Sequence, residues 1–219
     1  MNDFDRSVVV GISGPTCSGK STLAEAMNEY APDNVLVISQ DDYYRDFSGM
    51  SRSEIARLNF DRPDAVDMPL LARQVRGLRM GFPVRKPSYC RQRHGRTSWQ
   101  LVRPRPIVVV EGIFVLTWPD IVLELDLKVY LDADHDTIWK RRLRRDAACG
   151  QTHSEVSGRF DEMTWPGHLR HVEPSKELAD LVVNNPFDTE AFATDLYGQA
   201  CDIQQKLIPY AVMAAEKDV

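Results

Sequence analysis

The sequence predicts an α/β fold: a three-layer sandwich with a parallel five-stranded core sheet, helices on both faces and a small inserted lobe. Three observations predict it. Five short, nearly continuous apolar runs punctuate the chain, the pattern of strands buried on both faces. Helical spacing fills most of the intervals, and strands alternating with helices give a parallel sheet covered on both sides. One stretch, residues 45–105, breaks that rhythm, with Pro63, Pro69, Pro83, Pro87, Pro104 and Pro106 in or beside it.

Taken in order, Val8-Val9-Val10-Gly11-Ile12-Ser13 is the first strand. A loop over 14–18 leads into a helix predicted from Gly19 to Tyr30 and stopped by Pro32. The second strand is 34–39 (N-V-L-V-I-S). The irregular stretch holds a short helix over 70–78 and a hairpin with strands at 88–91 and 97–102. Strands follow at 107–110, 127–131 and 179–183. Helices are predicted over 137–146 and 188–207, the latter with Phe192, Leu196, Ala200, Ile203 and Leu207 on one face. The whole of 1–219 reads as one domain, with 45–105 the inserted lobe. In open α/β sheets ligands gather beyond the carboxyl ends of the strands, where such an insertion can hold a substrate.

Composition narrows the function classes. The chain is 43% hydrophobic and 27% charged, ordinary for a globular domain. No run reaches the roughly 20 apolar residues of a spanning helix. The acidic Met1–Asp5 stretch leaves no room for a signal peptide, so a cytoplasmic protein is expected. A net charge of −5 does not favour nucleic acid as a partner. Cys17, Cys90, Cys149 and Cys201 lack metal or redox spacing and read as reduced thiols.

Gly14-Pro15-Thr16-Cys17-Ser18-Gly19-Lys20-Ser21 matches the phosphate loop G-x-x-x-x-G-K-S/T, between a buried strand and a helix as that motif requires. The glycines let backbone N–H groups turn inward around phosphate oxygens. Lys20 can reach the β- and γ-phosphates, the Ser21 hydroxyl can ligate Mg²⁺, and Thr22 continues the loop into the helix, whose positive end faces the anion. The fold is therefore predicted to be of the P-loop NTPase type, with ATP and Mg²⁺ as cofactors. No N-K-x-D or T-K-x-D sequence occurs, which argues against a GTPase, and no L-S-G-G-Q occurs, which argues against a transporter ATPase.

Two acids close strands at the same sheet edge: Asp41 after the second and Glu111 after the 107–110 run. Phosphoryl transfer to an alcohol needs a carboxylate that accepts or orients the hydroxyl proton, and further oxygens around Mg²⁺. Asp41 is assigned as the base, and Glu111, with Ser21 and Asp41, to the metal's environment. The bland alternative for each acid is a cap on the next helix.

Four blocks together carry a resemblance: Gly11 to Leu23; Ile38-Ser39-Gln40-Asp41-Asp42-Tyr43-Tyr44; Asn59-Phe60-Asp61-Arg62-Pro63-Asp64-Ala65-Val66-Asp67; and Val110-Glu111-Gly112-Ile113. In order and over most of the chain, they resemble the uridine (uridine–cytidine) kinase family. The resemblance implies ATP-dependent transfer to the 5′-hydroxyl of a nucleoside, with Asp41 as catalytic base beside Lys20. Ser21 and Glu111 would serve Mg²⁺, and Asp61 would bind the ribose hydroxyls. Pro87-Ser88-Tyr89 and His94-Gly95-Arg96 are similar to the segment whose Tyr and His contact the pyrimidine, which puts Tyr89 and His94, along with Tyr44, at the substrate. Lys140-Arg141-Arg142-Leu143-Arg144-Arg145-Asp146 resembles the lid run over the nucleotide, within a lid region 137–160. There Arg142 and Arg145 would meet ATP, and Arg142 the substrate as well. Without the resemblance, that run would read as a solvated charged face.

Three positions depart from the family pattern: Arg91 stands for an aromatic, Gln151 for an arginine, and Arg159 for a base-binding glutamine. They cluster where nucleobase and ribose would be read. The run Phe160-Asp161-Glu162-Met163-Thr164-Trp165-Pro166 is similar to nicotinamide riboside kinases. Uridine or cytidine leads, and nicotinamide riboside, another ribosyl acceptor and a non-catalytic ATP-binding regulator stay open. Oligomeric state and the choice of ATP over GTP also stay open.

Other signals are declined. Asp132, Asp134 and Asp136 mimic a calcium loop but lack its Gly and Glu. His168 and His171 read as surface residues. Arg91, Arg93, Arg96, Arg103 and Arg105 with Trp99 could form an RNA-binding hairpin, but the acidic chain favours a phosphate-facing substrate lobe.

Overall fold

The computed structural model describes residues 6–184 and 189–215. Asp188 as a helix start, the Met1–Asp5 stretch and the Leu207 side chain lie outside what it describes. In chain order the elements are β1 (Val8–Ser13), α1 (Lys20–Tyr30), β2 (Val35–Ser39), the one-turn α2 (Arg52–Ile55), α3 (Met68–Arg79), β3 (Val84–Cys90) and β4 (Gly95–Val102). Then come β5 (Ile107–Glu111), the one-turn α4 (Pro119–Val122), β6 (Leu127–Asp132), α5 (His135–Ala148), α6 (His153–Arg159), the short α7 (Trp165–Gly167), β7 (Leu181–Asn184) and α8 (Thr189–Ala215).

The core sheet is five-stranded, in the order β2-β5-β1-β6-β7, and every pairing in it is parallel. Alternation along each strand sorts the apolar residues into two layers. Val8, Val10 and Ile12 of β1 and Ile107 and Val109 of β5 face Leu23 and Met27 of α1 and Leu196 and Ala200 of α8. Val9, Val108 and Val110 face the other way, onto Met68, Leu71, Val75 and Leu78 of α3 and onto Phe114. Each such fully buried side chain contributes about 1.5–3 kcal/mol over an exposed one.

The irregular stretch therefore supplies one of the layers. Its helix α3 runs two residues further upstream than the pattern suggested, because Asp67 caps it by accepting from the Leu70 N–H at 3.2 Å and Pro69 sits in the first turn. Outside the core sheet, β3 and β4 pair as an antiparallel hairpin with an irregularity between Ser88 and Tyr89. Both strands are longer than expected, and Arg91, predicted in a strand, falls in the turn. Helix α5 also starts early, because Asp134 caps it, accepting from the Thr137 N–H at 2.8 Å. That bond, and the ion pair of Asp132 with Lys176 at 2.5 Å, occupy two of the three acids of the calcium-loop mimic.

Register sets up the site. Ile12 and Ser39 both stand opposite Glu111, so the carboxyl ends of β1, β5 and β2 finish on one line. The phosphate loop leaves β1 there and the Asp41 turn leaves β2.

Candidate active site

The phosphate loop is shaped by its glycines. Gly14 has φ +137°, and a Cβ there would lie 2.2 Å from the Leu131 carbonyl oxygen of β6. Gly19, at φ +100°, is the N-cap of α1. Lys20 is buried, with Nζ donating to the Pro15 carbonyl at 2.6 Å and to Ser18 Oγ at 3.4 Å. Burial lowers its pKa, against the attraction of Glu111, Cys17 and Asp41. The ammonium is thus folded back into the cradle, among acceptors that a phosphate could replace.

The two acids are joined through hydroxyls. Ser21 Oγ donates to Glu111 Oε2 at 3.2 Å, and Ser39 Oγ donates to Glu111 Oε1. Ser39 in turn accepts from the Asp41 N–H at 3.3 Å. Ser39, not Asp41, is the cap of the following turn, so the bland role for Asp41 is taken by its neighbour. Glu111 is buried and its pKa is raised, first by desolvation and further by Asp41, while Ser39, Lys20 and Ser21 pull it down. Asp41 itself is half-exposed and ion-paired with Arg91. Asp42 points elsewhere, pairing with Lys86.

Beside these lies an aromatic group. The Tyr44 and Tyr89 rings are 5.3 Å apart, Tyr44 meets Phe60 edge-on at 5.6 Å, and His94 stacks on Phe60 at 5.7 Å. His94 occupies the left-handed region at φ +49°, and its carbonyl accepts from the Phe47 N–H at 2.8 Å, which pins the hairpin turn. Tyr44 donates to the Phe60 carbonyl at 3.2 Å, and burial raises its pKa. The Tyr89 hydroxyl is buried and has no partner among the described residues, and its pKa is pushed up to about 12 by burial. A buried hydroxyl without a partner is costly unless a ligand completes it.

Asp61 sits between this group and the phosphate loop. It accepts from Thr164 Oγ1 at 2.7 Å and lies 3.8 Å from Arg142 Nη1. Arg142 is 8% exposed, and its Nη1 also reaches Thr16 Oγ1 at 3.5 Å, while Arg141 Nη1 donates to the Cys17 carbonyl at 3.3 Å. Arg145 bonds Asp146 at 2.8 Å, and its pKa is raised by Cys17, Asp146 and Asp41 against desolvation. The basic face of α5 is therefore turned onto the loop. A small cavity between the loop and Asp61 is lined by Thr16, Asp61, Ile113, Thr164, His168 and Val172.

His168 corrects an expectation. It is 7% exposed, with Nε2 3.3 Å from Glu173 Oε2, and its pKa is lowered chiefly by desolvation. A lone pair of histidines in a loop gave no sign of this; the wide helical turns over Phe160–Thr164 and His168–Val172 rotate it inward. His171 is half-buried, edge-on to Phe114 at 6.4 Å. Thr164 and Ser39 were not singled out, although both lie inside quoted motifs. Of the arginines grouped with Trp99, two are engaged within the fold: Arg96 bonds the Tyr43 and Tyr44 carbonyls and Asp67, and Arg105 bonds the Val35 carbonyl. Gln151 lies just before α6 and Arg159 ends it.

Among the described residues no cluster of three or more His, Cys, Asp or Glu could by itself hold a metal. The oxygens of Ser21, Glu111 and Asp41 nonetheless suit Mg²⁺, which binds through one or two carboxylates, waters and substrate phosphates. A buried carboxylate whose direct partners are two hydroxyls fits that use. No helix among the described residues is long and apolar enough to cross a membrane, and all four cysteines are free.

Comparison with known proteins places this geometry. The profile of the Phosphoribulokinase / Uridine kinase family matches residues 9–190. A uridine kinase of Alkaliphilus metalliredigens is 36% identical over 190 residues, covering 85% of this chain and 91% of the relative. A uridine kinase of Clostridium botulinum is 39% identical over 181 residues, covering 81% and 88%. Among solved structures, a phosphoribulokinase from Rhodobacter spheroides superposes with a TM-score of 0.65 at 16% identity, covering 84% of this chain and 73% of that one. A D-glycerate 3-kinase from Cryptococcus neoformans gives 0.55 at 17% identity, covering 74% and 78%. At these identities the structural likeness concerns the fold alone.

Proposed function

The chain belongs to the phosphoribulokinase / uridine kinase family, and on that premise we propose that it is an ATP-dependent nucleoside kinase. In this reading the γ-phosphate of ATP passes to the 5′-hydroxyl of a nucleoside, uridine or cytidine first. One observation carries it: the chain Ser21–Glu111–Ser39–Asp41, which ties the phosphate loop to the turn bearing an exposed carboxylate.

The roles follow from the chemistry of each group. Backbone N–H groups within residues 14–22, Pro15 having none to give, and the Lys20 ammonium hold the β- and γ-phosphates. Ser21, Glu111 and Asp41 would hold Mg²⁺, which would supply positive charge to neutralise the charge that develops on transfer. Asp41 accepts the hydrogen bond of the 5′-hydroxyl and orients it for in-line attack. Asp61, steadied by Thr164, takes the ribose hydroxyls, and Tyr44, Tyr89 and His94 enclose the base. Arg142 spans loop and Asp61, so it can sense both substrates; Arg145 adds charge over the transferring group.

The test is transfer from γ-labelled ATP·Mg²⁺ to a panel of uridine, cytidine, nicotinamide riboside and a phosphosugar. Acceptor-dependent transfer to a nucleoside is expected, and Asp41→Asn should lower turnover by about 10²–10⁴-fold with ATP binding intact. ATP binding without transfer to any acceptor would point to a regulator, and unchanged turnover in the Asp41 variant would remove that residue as the base.

A further inference from the structure

Resting on the kinase reading, we propose that Arg91 determines which acceptor the site takes, selecting a nucleoside whose ring turns hydrogen-bond acceptors or negative charge toward it.

Arg91 opens the turn between β3 and β4, and that turn is fixed in place. The Arg93 N–H bonds the Cys90 carbonyl at 3.2 Å, and the His94 carbonyl is held by Phe47. The guanidinium stands between the two ends of the acceptor's path. At one end Nη2 bonds the carboxylate of Asp41. At the other is Tyr89, two residues upstream, whose hydroxyl is buried without a partner among the described residues. The charged groups that face Arg91 are Asp41, from the turn after β2, and Arg145, from α5, with the neutral Tyr44 phenol beside Asp41. Its side chain is 65% exposed, so an incoming ring can reach it. Nη2 serves Asp41, and among the described residues Nε and Nη1 have no hydrogen-bond partner.

An arginine carries five N–H donors in a fixed plane and no acceptor. An aromatic side chain at this position would offer its face to any flat base. A guanidinium discriminates: it gains from a carbonyl or carboxylate and is left facing like dipoles by an amino group. A site built to hydrogen-bond one partner rejects the analogue that leaves its polar groups unpaired. Uracil and cytosine differ at C4, a carbonyl against an amino, and at N3, a donor against an acceptor, so the preference expected here is the one read at C4. Nicotinic acid riboside and nicotinamide riboside differ by a carboxylate against a carboxamide.

The experiment measures kcat/KM for these two matched pairs with wild type, Arg91→Phe and Arg91→Lys, with melting temperature confirming that each variant folds. Wild type should favour uridine over cytidine, and carboxylate over carboxamide, by about tenfold or more. Arg91→Phe should bring both ratios within about twofold of one. Arg91→Lys should keep part of the carboxylate preference and lose the uridine preference, since charge survives and the planar fork does not. Wild-type ratios near one would overturn the inference, as would ratios that an active Arg91→Phe leaves unmoved. A folded Arg91→Phe inactive with all four acceptors would assign Arg91 to the transfer step instead, and would overturn it too. Absence of transfer by wild type to every acceptor would be a failure of the kinase reading itself, distinguishable from the other results.

Discussion

Replacing Gly167 with alanine probes the seam that holds Asp61. Gly167 has helical dihedrals, φ −63° and ψ −42°, so alanine meets no backbone strain there and by propensity alone would stabilise the segment by about 1 kcal/mol. The neighbour decides otherwise. A Cβ at 167 would lie 2.7 Å from the Asp61 carbonyl oxygen and 3.3 Å from the Asp61 Cβ. Ordinary contact begins at 3.4 Å, and the nearest atom is backbone, so the two segments must part by several tenths of an ångström. That movement pulls on the 2.7 Å bond from Thr164 to the Asp61 carboxylate, three residues upstream of the substitution. Overpacking of this kind costs about 1–3 kcal/mol. If the strain is relieved by displacing Asp61, the same energy is withdrawn from acceptor binding, and KM for the acceptor rises between about fivefold and about 150-fold. KM for ATP should change less than that of the acceptor, because Lys20 bonds only within the loop and the seam reaches the loop only through Arg142 and the cavity beside Thr16. Initial rates with each substrate varied in turn, alongside thermal melts, make the measurement. An unchanged acceptor KM with a higher melting temperature would refute the reasoning, since alanine would then have been accommodated at no cost to Asp61.

Further predictions concern the loop, the lid and the core. Burial raises the pKa of Glu111, so the folded state binds its proton more tightly than the unfolded chain. The associated stability is complete below the ordinary carboxylate value near 4.3 and is lost as pH rises through the higher folded value. Glu111→Gln should therefore melt higher than wild type at pH 8 without nucleotide, by a margin that shrinks toward pH 4, while transfer with Mg²⁺ falls steeply; an equal margin at both pH values would contradict this. Arg142→Ala should raise KM for both ATP and nucleoside, since its guanidinium reaches Thr16 and Asp61, whereas Arg145→Ala should act on ATP alone. Steady-state kinetics on the two variants distinguishes the patterns. Leu23→Ala, at a fully buried position of α1, should cost about 2–5 kcal/mol and lower the melting temperature by about 5–20 °C, read by calorimetry, with KM values unchanged.

The core sheet was legible in the sequence because each strand announces itself locally. Val8 to Ile12 and Ile107 to Val110 are apolar on both faces, and only a strand buried on both sides wants that. The phosphate loop was legible for a similar reason: Gly14, Gly19 and Lys20 answer to phosphate geometry within eight residues. Boundaries moved where a side chain caps a helix, as Asp67 and Asp134 do, since capping extends the element past its periodic part.

What the sequence determined by itself is chemistry whose partners lie close in the chain. Which acid sits across from which hydroxyl or cation was decided by the tertiary structure alone. Ser21 meets Glu111 across 90 residues, Thr164 meets Asp61 across 103, and Arg91 meets Asp41 across 50. No local pattern encodes those distances, because they arise only when parallel register lines up the strand ends and the helical turns after Phe160 fold back against them. The inward His168 and the buried Arg142 belong to the same class: a polar residue goes inside only where a partner from elsewhere meets it, and that partner is visible only once the chain has folded.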